Sequence, residues 1–321
     1  MIYSDWQASR RAPTIPARAE GLVAAEDPIV PIPRSLALDT RKVDLGRRLF
    51  GDRRLSADGS VSCATCHNLS TGGVDRRVCS RGIGGREGGI NAPTVFNAGF
   101  NFRQFWDGRA ETLEAQVDGP LQNPAEMGGE WSQAIATISA DADYRAAFAA
   151  VYPDGITADN VRNAIATFER SLVTPDSRFD RYLRGDAAAL SKNELAGYRL
   201  FKQIGCTSCH QGMNIGGNMY QKLGIMEDYF VAERARRSEV DQGRFNITKR
   251  DEDRHFFKVP SLRNVAVTPP YLHDGSAKTL EDAVSVMARY QLGTELDKAD
   301  IASIAAFLRT LTGEYEGRRL E

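Results

Sequence analysis

The chain has 321 residues, of which 42% are hydrophobic and 26% charged, and its 41 Lys and Arg balance 42 Asp and Glu. That balance offers no electrostatic footprint for nucleic acid or an anionic membrane surface, and no apolar run approaches the roughly 18–20 residues that cross a bilayer. The length suits two domains of roughly 150 residues, and five cysteines are too sparse for a disulfide scaffold.

The N-terminus, MIYSDWQASRRAPTIPAR, lacks the apolar stretch of a secretory signal, so an exported form of the protein has already lost its signal. Residues 1–35 are punctuated by Pro13, Pro16, Pro28, Pro31 and Pro33 and read as an extended arm. Apolar residues at helical spacing follow at 43–50, ahead of Cys63-Ala64-Thr65-Cys66-His67. The glycine-rich stretch 82–89 is a loop. Its Gly82-Ile83-Gly84-Gly85 run is not a dinucleotide fingerprint, because it lacks the third glycine at the right offset and a preceding strand. Helical periodicity returns at 131–150, 158–172 and 191–204, just before Cys206-Thr207-Ser208-Cys209-His210, and again at 279–291 and 297–311. Val/Ile/Thr-rich alternation is scarce, so the expected class is all-α.

Both cysteine pentapeptides are C-x-x-C-H, the pattern of c-type haem attachment. Two thiols three positions apart on a helical turn can add to the two vinyl groups of one haem, and the adjacent histidine then reaches the iron. The competing readings fit poorly. A zinc ribbon needs its pairs about 15–20 residues apart, whereas 143 positions separate these. A thioredoxin-like pair needs a βαβ setting, and the flanks are helix or glycine-rich loop.

An internal repeat organises the chain. PTVFNAGFNFRQFWDGRAETLEAQV (93–117) aligns without a gap on PSLRNVAVTPPYLHDGSAKTLEDAV (260–284), and AIATFERSL (164–172) echoes SIAAFLRTL (303–311). The chain is therefore two copies of one unit. The copies are unequal, since 26 positions separate His67 from Pro93 while 50 separate His210 from Pro260. The second copy carries an insertion, expected within 226–254.

With the two haem motifs, FWDGR at 105–109, the run from Gln116 through Gly119-Pro120 to Glu126-Met127, FKVPSLRN at 257–264 and PPYLHDG at 269–275, residues from about 40 to 312 resemble the bacterial dihaem cytochrome c peroxidases and their relative MauG. The resemblance implies an all-α fold of two cytochrome c-like domains, each with one covalently attached c-type haem. The expected division is an arm at 1–35, an N-terminal domain with the peroxidatic haem at 36–185, and a C-terminal domain with the electron-transfer haem at 186–321.

Cys63, Cys66 and His67 would hold the first haem, and Cys206, Cys209 and His210 the second. Most of these peroxidases carry a distal histidine on the loop after the first motif. The matching position here is Ile83, which cannot ligate iron. The first haem is therefore expected to be open without reductive activation, unless another residue such as Met127 or Cys79 fills the site. Met287 matches the family's distal methionine on the second haem, where a thioether favours electron transfer; unaided, a methionine on an amphipathic helix reads as core. MauG has tyrosine there, so Met287 argues for ordinary peroxidase wiring.

Peroxide reduction needs a group that takes a proton from the near oxygen and returns one to the departing oxygen, and a distal carboxylate can do both. Glu126 matches the family's acid, and Gln116 would orient peroxide. Without the motif, both would read as solvated polar side chains. Trp106 matches the family's relay between haems and equally suits a buried aromatic. In the repeat it takes the place of His273, which is expected to hydrogen-bond a haem propionate or its surroundings. His255 reads as an exposed or insertion-loop residue, and Cys79 is left without a partner. Asn91, Thr268 and Pro270 match the family's inter-domain calcium site, whose amide and carbonyl oxygens suit a hard cation.

The leading reading is thus a periplasmic dihaem peroxidase with two haem c groups and one calcium ion. It would take electrons from a small cytochrome c or cupredoxin, with no nucleic-acid or membrane partner, and the resemblance allows a homodimer. The rivals are a MauG-like oxidation of a partner protein and a plain dihaem electron carrier.

Overall fold

A computed structural model of the chain describes residues 27–232 and 238–321. The first unit opens with α1 (Thr40–Gly51), capped by the Asp39 side chain, which accepts from the Arg41 amide. The first motif is the single turn α2 (Cys63–Cys66). Then come α3 (Leu113–Gln122), α4 (Trp131–Ala140), α5 (Ala142–Ala149) and α6 (Ala158–Ser171). The one helix expected over 131–150 is split at Asp141, whose side chain accepts from the Asp143 and Tyr144 amides and so starts α5. Helix α3 is not among the periodic stretches read from the sequence; Gly119 and Pro120 lie inside its last turn.

The second unit contains α7 (Arg178–Leu183) and α8 (Lys192–Gln203), then the 3₁₀ turn Cys206–Ser208 of the second motif. Strand β1 (Tyr220–Lys222) pairs antiparallel with β2 (Phe256–Lys258). The two strands clamp the base of the insertion, which carries α9 (Tyr229–Ala232) and α10 (Phe245–Thr248). The chain ends with α11 (Leu280–Val286), a π-helical turn at Met287–Gln291, α12 (Lys298–Arg309), and the two-residue pair β3 (Glu314–Tyr315) and β4 (Arg318–Arg319). These short pairs are the described departures from an otherwise helical fold.

Two hydrophobic cores follow the two copies. One gathers Leu45, Phe50, Phe96, Ile138, Phe148 and Phe168; the other gathers Phe179, Tyr198, Phe201, Ile215, Phe307 and Leu308. In each, the helix before the haem motif crosses the last helix of the unit, α1 on α6 and α8 on α12. Both crossings are made at a glycine: a Cβ on Gly46 would run into Ala164 O, and one on Gly197 into Ser303 O. Ala164 and Ser303 are equivalent in the repeat. The crossing glycines belong to a further echo, GRRLF at 46–50 and GYRLF at 197–201.

The copies meet at Thr174. Asn97 and Asn264, equivalent in the repeat and both with positive φ (61° and 63°), donate from their Nδ2 atoms to Thr174 Oγ1 at 2.7 and 3.0 Å. Part of the N-terminal arm is docked rather than free: Ile29 and Ile32 are buried, and Gly212 N–H donates to Pro28 O at 2.8 Å. Fully buried Arg263 donates to Val30 O, Met213 O and Asp180 Oδ1 at 2.9, 2.9 and 2.7 Å, tying arm, motif loop and α7 together. Pro13 and Pro16 lie outside the described residues.

Candidate active site

The two motif histidines are prepared alike. His67 Nδ1 lies 3.2 Å from Gly73 O and His210 Nδ1 lies 3.1 Å from Ile215 O. A carbonyl only accepts, so Nδ1 carries the hydrogen and Nε2 keeps its lone pair for a metal. Burial depresses both imidazoles, that of His210 to about 4, and holds them neutral, as ligation requires. Burial also pushes the Cys63 and Cys206 thiols up to about 12, which favours neutral sulfur over a thiolate metal ligand.

Each histidine opens onto a cavity. The first is walled by Leu55, Val61, Val117, Leu121 and Ile165, with Cys63, Cys66 and His67 on one side. Gln116 from α3, Glu126, Met127 and Gly82 also line it. Glu126 Oε1 accepts from Asn123 Nδ2 at 2.7 Å. Burial raises the Glu126 carboxyl above its ordinary range, against that hydrogen bond and the charge of Arg109. Ile83 N–H donates to Glu126 O at 2.8 Å, and the Ile83 side chain packs on the first core. A Cβ on Gly82 would strike the Glu126 backbone, so glycine is required for the two loops to meet. Met127 is buried; Cys79 is not among the residues that line this cavity.

The second cavity, about 240 Å³, is lined by Cys206, Cys209, His210 and Met287, the last at the start of the π-helical turn. Trp106, His273, Asn91, Thr268 and Pro270 line it too. Trp106 Nε1 donates to Asn91 O at 2.9 Å, and Asn91 N–H donates to His273 O at 2.8 Å. His273 Nε2 meets Asp241 Oδ1 at 2.8 Å. Against the burial that would raise it, the Asp241 carboxyl is held low by His273 and by the Ser238 amide. Asp241 arrives on the insertion, so sequence alone did not point to it. His255 lies in the insertion as expected, but its ring is half-buried, stacked on Phe230 at 4.0 Å.

These donor sets fit haem c. Besides the sulfur pairs and imidazoles, Lys258 lines the second cavity. It is 6% exposed, burial lowers its ammonium to about 8, and its Nζ makes no hydrogen bond or ion pair among the described residues. A buried cation without an anion is costly, and a haem propionate would supply one. Lys258 went unassigned in FKVPSLRN; a lysine between Phe257 and Val259 in an apolar run was the available signal. Glu169, like Asp241 and Lys258, was not singled out from the sequence. It lines the first cavity and stands where the second copy has the core residue Leu308. Among the described residues, no cluster of three or more His, Cys, Asp or Glu could hold a metal ion, and no helix is long and apolar enough to cross a membrane.

The family model described as di-haem cytochrome c peroxidase matches residues 40–188. Cytochrome c peroxidase Ccp of Escherichia coli (strain K12) is 47% identical over 311 residues, which cover 97% of this chain and 66% of that relative; the chain thus spans just under two thirds of its length. Cytochrome c551 peroxidase of Nitrosomonas europaea is 46% identical over 94% of this chain and 88% of its own. Among solved structures, a MauG-like protein associated with microbial copper homeostasis is 31% identical and superposes with a TM-score of 0.77 over 89% of this chain and 93% of that one.

Proposed function

The chain belongs to the di-haem cytochrome c peroxidase family, and from that premise we propose that it reduces hydrogen peroxide to water at the first cavity, with electrons entering at the second. When bound, the haems supply the one-electron centres that the reaction needs. Cys63, Cys66 and His67 would hold one; Cys206, Cys209, His210 and Met287 would hold the other, and Lys258 would offer a cation to a propionate.

The chain's own residues handle the protons and the geometry. Glu126 takes a proton from the near oxygen of peroxide and returns it to the departing oxygen. Asn123 fixes one carboxylate oxygen and leaves the other for the substrate. Gln116 orients peroxide by hydrogen bonding. The apolar walls exclude bulk water and strengthen both interactions. Ile83, in the place of a ligating histidine, leaves the first site open before any reduction. Trp106 stands beside the second cavity and relays electrons between the centres.

The observation that carries this reading is the shared cavity: the half-buried Glu126 carboxyl held by Asn123, the Gln116 amide and the motif His67 all line it. Asn91, Thr268 and Pro270 are the proposed calcium ligands; they line one cavity, and Asn91 Nδ2 is engaged with Arg77 O at 2.9 Å, which leaves its Oδ1 for a cation. The proposed setting is the periplasm, with a small cytochrome c or cupredoxin as donor and a homodimer as the assembly. Likeness to a MauG-like structure and the open Ile83 position favour oxidation of a partner protein as the second reading, and Met287 weighs against it.

Replacing Glu126 with Gln tests the proposal. The peroxide step should slow by about 10²–10⁴-fold with both haem spectra intact, and unchanged kinetics would remove Glu126 from the mechanism.

A further inference from the structure

Helix α6 places Ile165 and Glu169 four residues apart on one face, and both line the first cavity. In α12 the same two positions are Ile304 and Leu308, both buried in the second core. The repeat therefore exchanges a core leucine for a carboxylic acid at one haem and not at the other. Glu169 is 6% exposed, and its Oε2 has no hydrogen-bond partner among the described residues.

The charged groups of the surrounding elements are engaged elsewhere. Arg170 is bonded to both carboxylate oxygens of Glu114 on α3 at 2.7 and 2.8 Å. Asp118 on α3 takes Arg162 at 2.8 Å. On α1, Lys42 donates to Asn163 at 3.0 Å and Arg47 to Glu316 at 2.8 Å. Cys63, on the motif turn, is neutral, and Glu126 brings a second acid to the cavity rather than a cation. Burial is the dominant influence on Glu169: the charge of Arg170 favours its ionised form only in part, that of Glu114 opposes it, and the carboxyl is raised to about 8. It therefore holds a proton at neutral pH.

We propose that Glu169 is a redox-linked acid of the first haem, protonated while that centre is reduced and ionised when the centre is oxidised. Oxidation sends one electron to the external oxidant and one proton from Glu169 to bulk water; reduction reverses both. Positive charge added to a cavity of low dielectric supplies the compensation that the carboxylate lacks, so electron and proton move together. Peroxide reduction consumes two of each, and Glu169 limits the charge that accumulates in the cavity between them. The acid acts through charge and needs no contact with peroxide.

The inference rests on haem occupying the first cavity and not on what reacts there. Potentials measured without peroxide therefore test it apart from the peroxidase reading. The experiment is a spectroelectrochemical titration of the first haem in the full dihaem protein, across roughly two pH units either side of the carboxyl's titration. In the native protein the midpoint potential should fall as pH rises. The slope should vanish in Glu169→Gln, which keeps the side-chain shape, and in Glu169→Leu, which adopts the residue of α12, and it should persist in Glu126→Gln. A flat native profile, a slope surviving both Glu169 variants, or a slope lost in Glu126→Gln would overturn the assignment.

Discussion

Trp106 and His273 hold the same place in two copies of one motif, and their rings lie 6.4 Å apart with planes inclined at 70°. Asn91 links them further, its carbonyl accepting from the Trp106 indole and its amide donating to the His273 carbonyl. One copy contributes an oxidisable ring. The other contributes an imidazole whose tautomer is set by buried Asp241. The repeat thus builds a junction between its two copies.

If that junction carries electrons, Trp106→Phe retains an aromatic ring in the cluster with Phe257 and Leu272 but removes the bond to Asn91 and raises the energy of oxidising the side chain. Electron transfer between the two haems should slow at least tenfold, equivalent to about 1.4 kcal/mol of barrier, with both absorption spectra unchanged. Flash photolysis of the half-reduced protein would read the rate, and a native rate would return Trp106 to a packing role.

The proposed acid–base role of Glu126, with its raised carboxyl, predicts a pH dependence. Glu126 accepts a proton only as the carboxylate, and burial shifts its titration above the ordinary value of 4.5. The peroxide rate constant should therefore be full on the alkaline side and fall as pH drops through that raised pKa. In Glu126→Gln the slow residual reaction should show no such limb. An acid limb of unchanged midpoint in that variant would assign the titration to another group.

The paired crossings predict paired losses. Gly46→Ala and Gly197→Ala each place a methyl against a helix carbonyl and must spread α1 from α6 or α8 from α12. Each should cost roughly 1–3 kcal/mol, read as a lower urea midpoint with the slope unchanged. Gly51→Ala, where nothing among the described residues lies within 4 Å of the new carbon, should be nearly neutral and serves as the control.

Much of this architecture was legible in the sequence because haem attachment demands a fixed pentapeptide and the repeat carries its own register. His67 and His210 do face matching carbonyls, and helices at 158–171 and 192–203 follow their apolar spacing closely. What escaped was decided by tertiary contact. Helix α3 showed no periodic stretch of its own in the sequence, yet it forms and absorbs Gly119 and Pro120 in its last turn. Asp141 reads as one polar residue in a long helix, yet its side chain starts a new one. Glu169 stands against Leu308 in the repeat, but only the packing of α6 shows that its face is buried. Asp241 reaches His273 across 32 residues of chain, a distance over which no local pattern operates. Lys258 carried no role in the sequence, and only its burial shows an ammonium without an anion among the described residues.

Mixing never-reduced, diferric protein with hydrogen peroxide in a stopped-flow instrument tests the open first site most directly. Rapid loss of the high-spin ferric absorption, before any electron is supplied, is the expected result, since Ile83 offers the first iron no ligand. A protein that stays inert until the second haem has taken up one electron would contradict the open site and place another side chain, such as Met127, on the first iron.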